Sequence, residues 1–133
     1  MHNSYKIKII LINFIILFTI SCKNDVELAM ERGILFYEWN KLEKAIIEFK
    51  YVIHKLGSKI QLLDYNEIKL LSKAHYNLAV AYSKKQWYDN AIKEAKQSFD
   101  LIPSDKNKKI LELIRTKQKQ KSEIVPMLKK PIP

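Results

Sequence analysis

Cysteine occurs once, glycine twice and proline four times among 133 residues. A single thiol cannot close an intramolecular disulfide or supply a paired-cysteine zinc site. So few turn-forming residues argue against a chain of many short strands, and a hydrophobic fraction of 47% argues against disorder. What is left is one all-α globular domain. Reactive constellations are missing too. His2, His54 and His75 stand apart, no glycine-rich loop could cradle a phosphate, and no nucleophile elbow is present. The chain is expected not to be an enzyme and to use no metal, no cofactor and no small-molecule substrate.

The N-terminus has a different character from the rest. Residues 1–8 carry Lys6 and Lys8 and no acid, and Ile9 to Ile20 is then apolar except for Asn13 and Thr19. A basic stretch followed by 12 largely apolar residues is the layout of a signal peptide. A permanent bilayer-spanning helix needs about 20 apolar residues, so this run is short for one. It ends in Thr19-Ile20-Ser21-Cys22, which resembles the lipobox of bacterial lipoproteins, although Thr19 stands where that family usually has Leu. The resemblance implies a signal peptide over residues 1–21 and attachment of diacylglycerol to Cys22. It also implies an exported, membrane-anchored product, periplasmic or at the outer membrane or cell surface. A lone exported thiol would otherwise be exposed to oxidation. Two or three acyl chains would hold the protein on a membrane where one chain is marginal.

Charge position says more than charge total. Lysine and isoleucine dominate the whole chain, so lysine count alone identifies no partner. Residues 22–105 hold 13 basic and 12 acidic residues, whereas residues 106–133 hold nine basic and two acidic. The basic character therefore belongs to the C-terminal part, which could meet anionic headgroups or form a solvated helix face. Nucleic acid is not an expected partner, because the expected location lies outside the cytoplasm.

An internal repeat appears on aligning Gly33-x-x-Phe36 with Ala79-x-x-Tyr82. Leu42, Ala45 and Phe49 then fall opposite Tyr88, Ala91 and Ala95, at an offset of 46 throughout. The second copy, residues 72–105, reads SKAHYNLAVAYSKKQWYDNAIKEAKQSFDLIPSD. With Leu78, Ala79, Tyr82, Ala91, Ala95, Ser98 and Pro103 in place, it resembles a tetratricopeptide repeat along its 34 residues. The small residues Ala79 and Ala91 suit a close approach of two antiparallel helices, and Pro103 would stop the second. The first copy, residues 24–57, carries Gly33, Phe36, Ala45 and Phe49, but has Arg32 for the usual Leu and Gly57 for the usual Pro.

The offset exceeds 34 by 12 residues, which places an insertion and helix extension over residues 58–71. Gly57-Ser58 reads as a helix stop and Asp64-x-x-Glu67 as a capping box. Ile68, Leu71, His75, Leu78 and Tyr82 recur every three or four residues, so the helix entering the second repeat should begin about two turns early. After Pro103, Ser104 or Asp105 can cap a further helix over 106–122, with Ile110, Leu113 and Ile114 as its apolar stripe. The tail over 123–133, with three prolines in its last eight residues, should be extended or disordered.

The family resemblance implies a groove lined by the first helix of each pair. It assigns Glu27, Met30, Ile34, Tyr37 and Glu38 from the first repeat, and Lys73, Tyr76, Val80, Ser83 and Lys84 from the second. Aromatic and aliphatic anchors with a few charges suit a helix or extended peptide. Met30 and Ile34 stand where the carboxylate-binding chaperone version of the fold needs Lys and Asn, so that ligand class is not expected. His75 is expected to be a packed or half-exposed helical residue, and Trp39 and Trp87 to cover apolar surface near the turns. Together the resemblances imply a membrane-anchored adaptor or scaffold that binds another envelope protein or peptide. The alternative is a self-assembling structural envelope lipoprotein whose basic tail lies on the membrane.

Overall fold

The computed structural model describes residues 25–128, with side chains to residue 124. The expected signal peptide over 1–21, Cys22 and residues 129–133 lie outside the described residues. Within them the protein is all-α. Five helices come one after another: α1 Asp25–Glu38, α2 Leu42–Gly57, α3 Tyr65–Lys84, α4 Tyr88–Leu101 and α5 Asp105–Leu128. Three of the four connections are three residues long, which forces antiparallel neighbours. The fourth, between α2 and α3, contains a 3-10 turn, Ile60–Leu62.

Each helix packs most extensively on its neighbours in sequence, while α1 also touches α3 and α3 touches α5. Helices α1, α3 and α5 thus form one layer and α2 and α4 a second. The core is a single cluster containing Ala29 and Met30, Phe49, Val52 and Leu56, Leu71, Leu78 and Tyr82, and Leu111 and Ile114. Small side chains bring the paired helices together: Ala45, Ala79, Ala91 and Ala95 have no exposed surface. At Gly33 an added Cβ would lie 2.6 Å from Phe49 Cε1. The glycine therefore opens the space that the phenyl ring fills, whereas in the second hairpin the equivalent pair is Ala79 and Ala95.

The two hairpin turns are copies of each other. Trp39 N–H donates to Leu35 O at 3.0 Å, Asn40 N–H to Tyr37 O at 3.0 Å and Lys41 N–H to Phe36 O at 2.8 Å. Forty-six residues later, Lys85, Gln86 and Trp87 donate to Ala81, Ser83 and Tyr82 at 3.2, 3.0 and 2.9 Å. This paired bonding is a Schellman termination, and it needs a left-handed residue after the helix. Asn40 (φ 58°) and Gln86 (φ 60°) supply it. Asparagine tolerates that region; glutamine gains nothing there. The Trp87 ring packs on Tyr82 with centroids 5.7 Å apart, the apolar contact that accompanies such a turn.

Gly57 ends α2 without a left-handed backbone. Asp64 starts α3 with a complete capping box: Glu67 N–H donates to Asp64 Oδ1 at 2.8 Å, and Asp64 N–H to a Glu67 carboxylate oxygen at 3.1 Å. Helix α3 then runs two turns ahead of Ser72, so the insertion lengthens a helix and leaves the hairpin intact. Arg32, in the position where Leu was expected, is surface-exposed and forms a bidentate pair with Glu48 on α2, at 3.0 and 2.8 Å. That carboxylate holds the guanidinium above its ordinary pKa. Lys85 pairs with Glu43 across the hairpins and holds its carboxyl below the usual range.

A buried polar knot joins α3, α4 and α5. Ser72 and Ser98 exchange hydroxyl-to-carbonyl bonds, each 2.9 Å. Asn107 Nδ2 donates to Ile102 O at 2.8 Å and lies 3.2 Å from Ser98 O and 3.3 Å from Ser72 Oγ. Ser104 caps α5 by accepting from Asn107 N–H at 3.2 Å.

Two features of α5 differ from expectation. Its inward stripe is Asn107, Leu111 and Ile114, and Leu113 is exposed on the flank, because the spacing of four and then three residues from Asn107 fixes the helix rotation. The helix also continues past Ser122 to Leu128, where extended chain was expected. Pro126 falls two residues before that end, so the missing amide hydrogen forfeits only one of the last backbone bonds of the helix.

Four substitutions probe this packing, each measurable by urea unfolding. Gly33→Ala should cost about 1–3 kcal/mol through overpacking against Phe49. Gln86→Gly should stabilise by up to about 1 kcal/mol by relieving the left-handed strain, while Asn40→Gly stays close to neutral. Asn107→Ala should cost about 1–3 kcal/mol, because it leaves the Ile102 carbonyl without this donor and removes the side chain that ties α5 to the serine pair.

Candidate functional site

The outer face of the α1, α3 and α5 layer carries the side chains assigned to a groove, and the structure divides them into three groups. At one end Glu27 and Lys73 line a cleft of about 510 Å³ between the starts of α1 and α3, with Val26, Leu70 and the Asp64 cap. At mid-height Tyr76 opens onto a cleft of about 410 Å³ walled by Lys106, Lys109, Ile110 and Leu113 of α5. Lys106 Nζ sits 4.6 Å from the centre of the Tyr76 ring. At the other end the ammonium of Lys84 lies 5.0 Å above the Tyr37 ring, joining α3 to α1. Each such cation–aromatic contact contributes about 0.5–1 kcal/mol at an exposed site. Ile34, Tyr37, Tyr76 and Val80 are half-buried, and Glu38 is exposed.

Two of the assigned residues do not face outward. Met30 is 2% exposed and Ser83 is 9% exposed. Met30 turns into the seam between α1 and α3, where Asn77 Nδ2 approaches its sulfur at 3.7 Å. Ser83 lies on the middle helix of a three-helix layer, where its short side chain stays below the surface. Met30 and Ser83 therefore belong to the packing and not to the groove surface. Of the residues assigned structural roles, Gly33, Ala45, Phe49, Leu78, Ala79, Tyr82, Ala91 and Ala95 are buried, Phe36 is half-buried, and Pro103 is exposed just after α4 ends.

What the sequence did not indicate is the contribution of α5. Ile110 and Leu113 form a second apolar strip on its flank, and Lys106 and Lys109 lie beside it. The signal was present in their spacing of three and four residues, but it merges with the Leu111 and Ile114 stripe until the helix rotation is known. No family model matches this chain, and no curated protein matches it either.

His75 is buried between α3 and α4, with Nδ1 2.7 Å from Glu94 Oε2, so its ring is part of the packing. Among the described residues no three His, Cys, Asp or Glu side chains gather as metal ligands. Trp87 leans on Tyr82 beneath the Lys85 ammonium, 4.5 Å from the indole centre, whereas Trp39 is more open and meets Phe36 edge-on. The arrangement can hold another chain through aromatic and aliphatic contacts bordered by lysines.

Substitutions should separate surface from packing. Met30→Ala is expected to cost about 2–5 kcal/mol of unfolding free energy by leaving a cavity. Glu27→Ala and Lys73→Ala should stay within about 0.5 kcal/mol of the parent, as exposed changes do. Thermal unfolding followed by circular dichroism would check all three.

Proposed function

We propose that this chain is a lipid-anchored adaptor of tetratricopeptide type, which holds a segment of another envelope protein on the α1, α3 and α5 face. The observation that carries the reading is the pair of half-exposed tyrosines, Tyr37 and Tyr76, each under a lysine ammonium on one continuous face. Rigid aromatic side chains beside open clefts are what a peptide anchor needs. The recurrence of the same turn hydrogen bonds 46 residues apart supports reading the chain as two copies of one hairpin unit. The lipobox-like Thr19-Ile20-Ser21-Cys22 supports lipid attachment at Cys22. No helix among the described residues is long and apolar enough to cross a membrane.

A second reading, a self-assembling structural lipoprotein, has one observation in its favour. Leu28 and Leu35, seven residues apart on α1, are 42% and 45% exposed on a helix with no helix before it among the described residues. An unpaired terminal repeat offers such a surface to a second copy.

Crosslinking and affinity capture of the tagged full-length protein from membranes tests the first reading. One envelope protein should be captured by the parent and lost with the double substitution Tyr37→Glu and Tyr76→Glu. Self-crosslinks alone, unaffected by those substitutions and abolished by Leu28→Glu with Leu35→Glu, would replace the adaptor with the self-assembling protein.

A further inference from the structure

The insertion between the repeats does more than connect them. Helix α2 ends and α3 begins at the same end of the hairpins where α1 starts, so the connection at 58–64 lies beside the first described residue, Asp25. Asp25 and Val26 share a cleft of about 330 Å³ with Tyr51, Lys55 and Lys59. On this connection and the start of α3, Leu62 is 83% exposed, Tyr65 68% and Ile60 47%, while the adjacent Leu63 packs against the core. A connecting loop of this size is ordinarily polar, and an exposed apolar cluster marks a contact surface.

These side chains are held outward by a firm backbone. Leu62 N–H donates to Lys59 O at 2.8 Å and Leu63 N–H to Ile60 O at 3.4 Å, closing the 3-10 turn. The Asp64 capping box fixes the first turn of α3, and Lys59 Nζ reaches Glu67 Oε1 at 3.5 Å. Leu63 is committed to the core, and Leu62 beside it is left in solvent.

The sequence before Asp25 indicates what faces this end. Only Lys23 and Asn24 separate Cys22 from Asp25, a reach of at most about 10 Å even when fully extended. The apolar run Ile9–Ile20 comes just before. Acylated at Cys22 after cleavage, the protein would be tethered within about 10 Å of α1; held by the uncut run, which ends at Ile20, it would leave the membrane within about 18 Å of α1. We propose that Ile60, Leu62 and Tyr65 form a second membrane contact, entering the interfacial layer of an anionic bilayer beside the N-terminal attachment. Tyr65 suits that layer because its ring is apolar and its hydroxyl polar. Lys55 and Lys59, on the same rim, meet anionic headgroups. Two contacts fix orientation where one tether leaves the domain free to tumble. The hairpins then stand with the insertion down, and the turns bearing Trp39 and Trp87 face away from the membrane. The inference rests on the membrane attachment in the adaptor reading and is independent of any protein partner.

The test uses the full-length chain in vesicles of phosphatidylethanolamine and phosphatidylglycerol containing a brominated phospholipid, which quenches tryptophan only at membrane depth. One variant combines Trp39→Phe, Trp87→Phe and Leu62→Trp, and a second replaces Leu62→Trp by Tyr65→Trp. The comparator carries Trp87→Phe alone and so reports from Trp39. Quenching of the indole introduced at position 62 or 65 should exceed that of Trp39 at least twofold. Membrane-bound protein in which the introduced indoles are quenched no more than Trp39 would overturn the second contact while leaving attachment intact. The mass of the N-terminal peptide reports acylation of Cys22 separately. Protein found free of vesicles, with Cys22 unmodified, would overturn both the attachment and this contact.

Discussion

Gly33 and Phe49 occupy a space that one additional methyl group would overfill, and the placing of α1 on α2 depends on that contact. When the axes of two helices are set by small side chains, the large ones on either side have a fixed volume to occupy. The second hairpin reaches the same end with different pieces. Ala79 and Ala95 replace a glycine and a phenylalanine, while Ala91 repeats Ala45 and Tyr82 takes the place of Phe36. Equal turns then leave each pair at the same relation, so that α2 can receive α3. The face carrying Tyr37 and Tyr76 exists because both hairpins were closed in the same way.

Polar contacts inside the fold serve registration. The Ser72, Ser98 and Asn107 knot lies where an apolar core would have placed methyl groups, and its donors and acceptors are matched in directions that sliding would break. Such a network contributes modest net stability but penalises alternatives strongly, since each displaced group would be buried without a partner. It fixes the rotation of α5, and that rotation brings Ile110, Leu113, Lys106 and Lys109 around Tyr76. One wall of the mid-height cleft is therefore set by side chains that never touch it.

Much of this was legible in the residues. The capping box at Asp64, the break at Pro103, the early start of α3 and the 46-residue offset are all local or periodic signals, and local chemistry decides them. Met30 and Ser83 were misassigned because a family groove map supplies positions along a helix but not what packs over them. Met30 and Tyr76 hold equivalent places, yet α3 covers the first, whereas the second opens onto the cleft beside α5. Gln86 gave no hint of a left-handed backbone, since the same position in the first hairpin is an asparagine and glutamine has no preference for that region. Leu111 and Leu113 were exchanged because each fits an apolar stripe; the partner helix, with Asn107, chose between them.

The order of contacts along the chain also sets how the molecule comes apart. Helices α1 and α5 each have one extensive neighbour, whereas α3 meets all four of the others. Unfolding can therefore proceed from either end as a peeling of single helices, but α3 cannot open until its companions have left. In a nearest-neighbour array, cooperativity is local and the outer elements open at a smaller free energy than the centre. Amide protons in the middle of α3 should be the last to exchange. A partner bridging α1 and α5 would couple the two loose ends and make five helices open as a single unit.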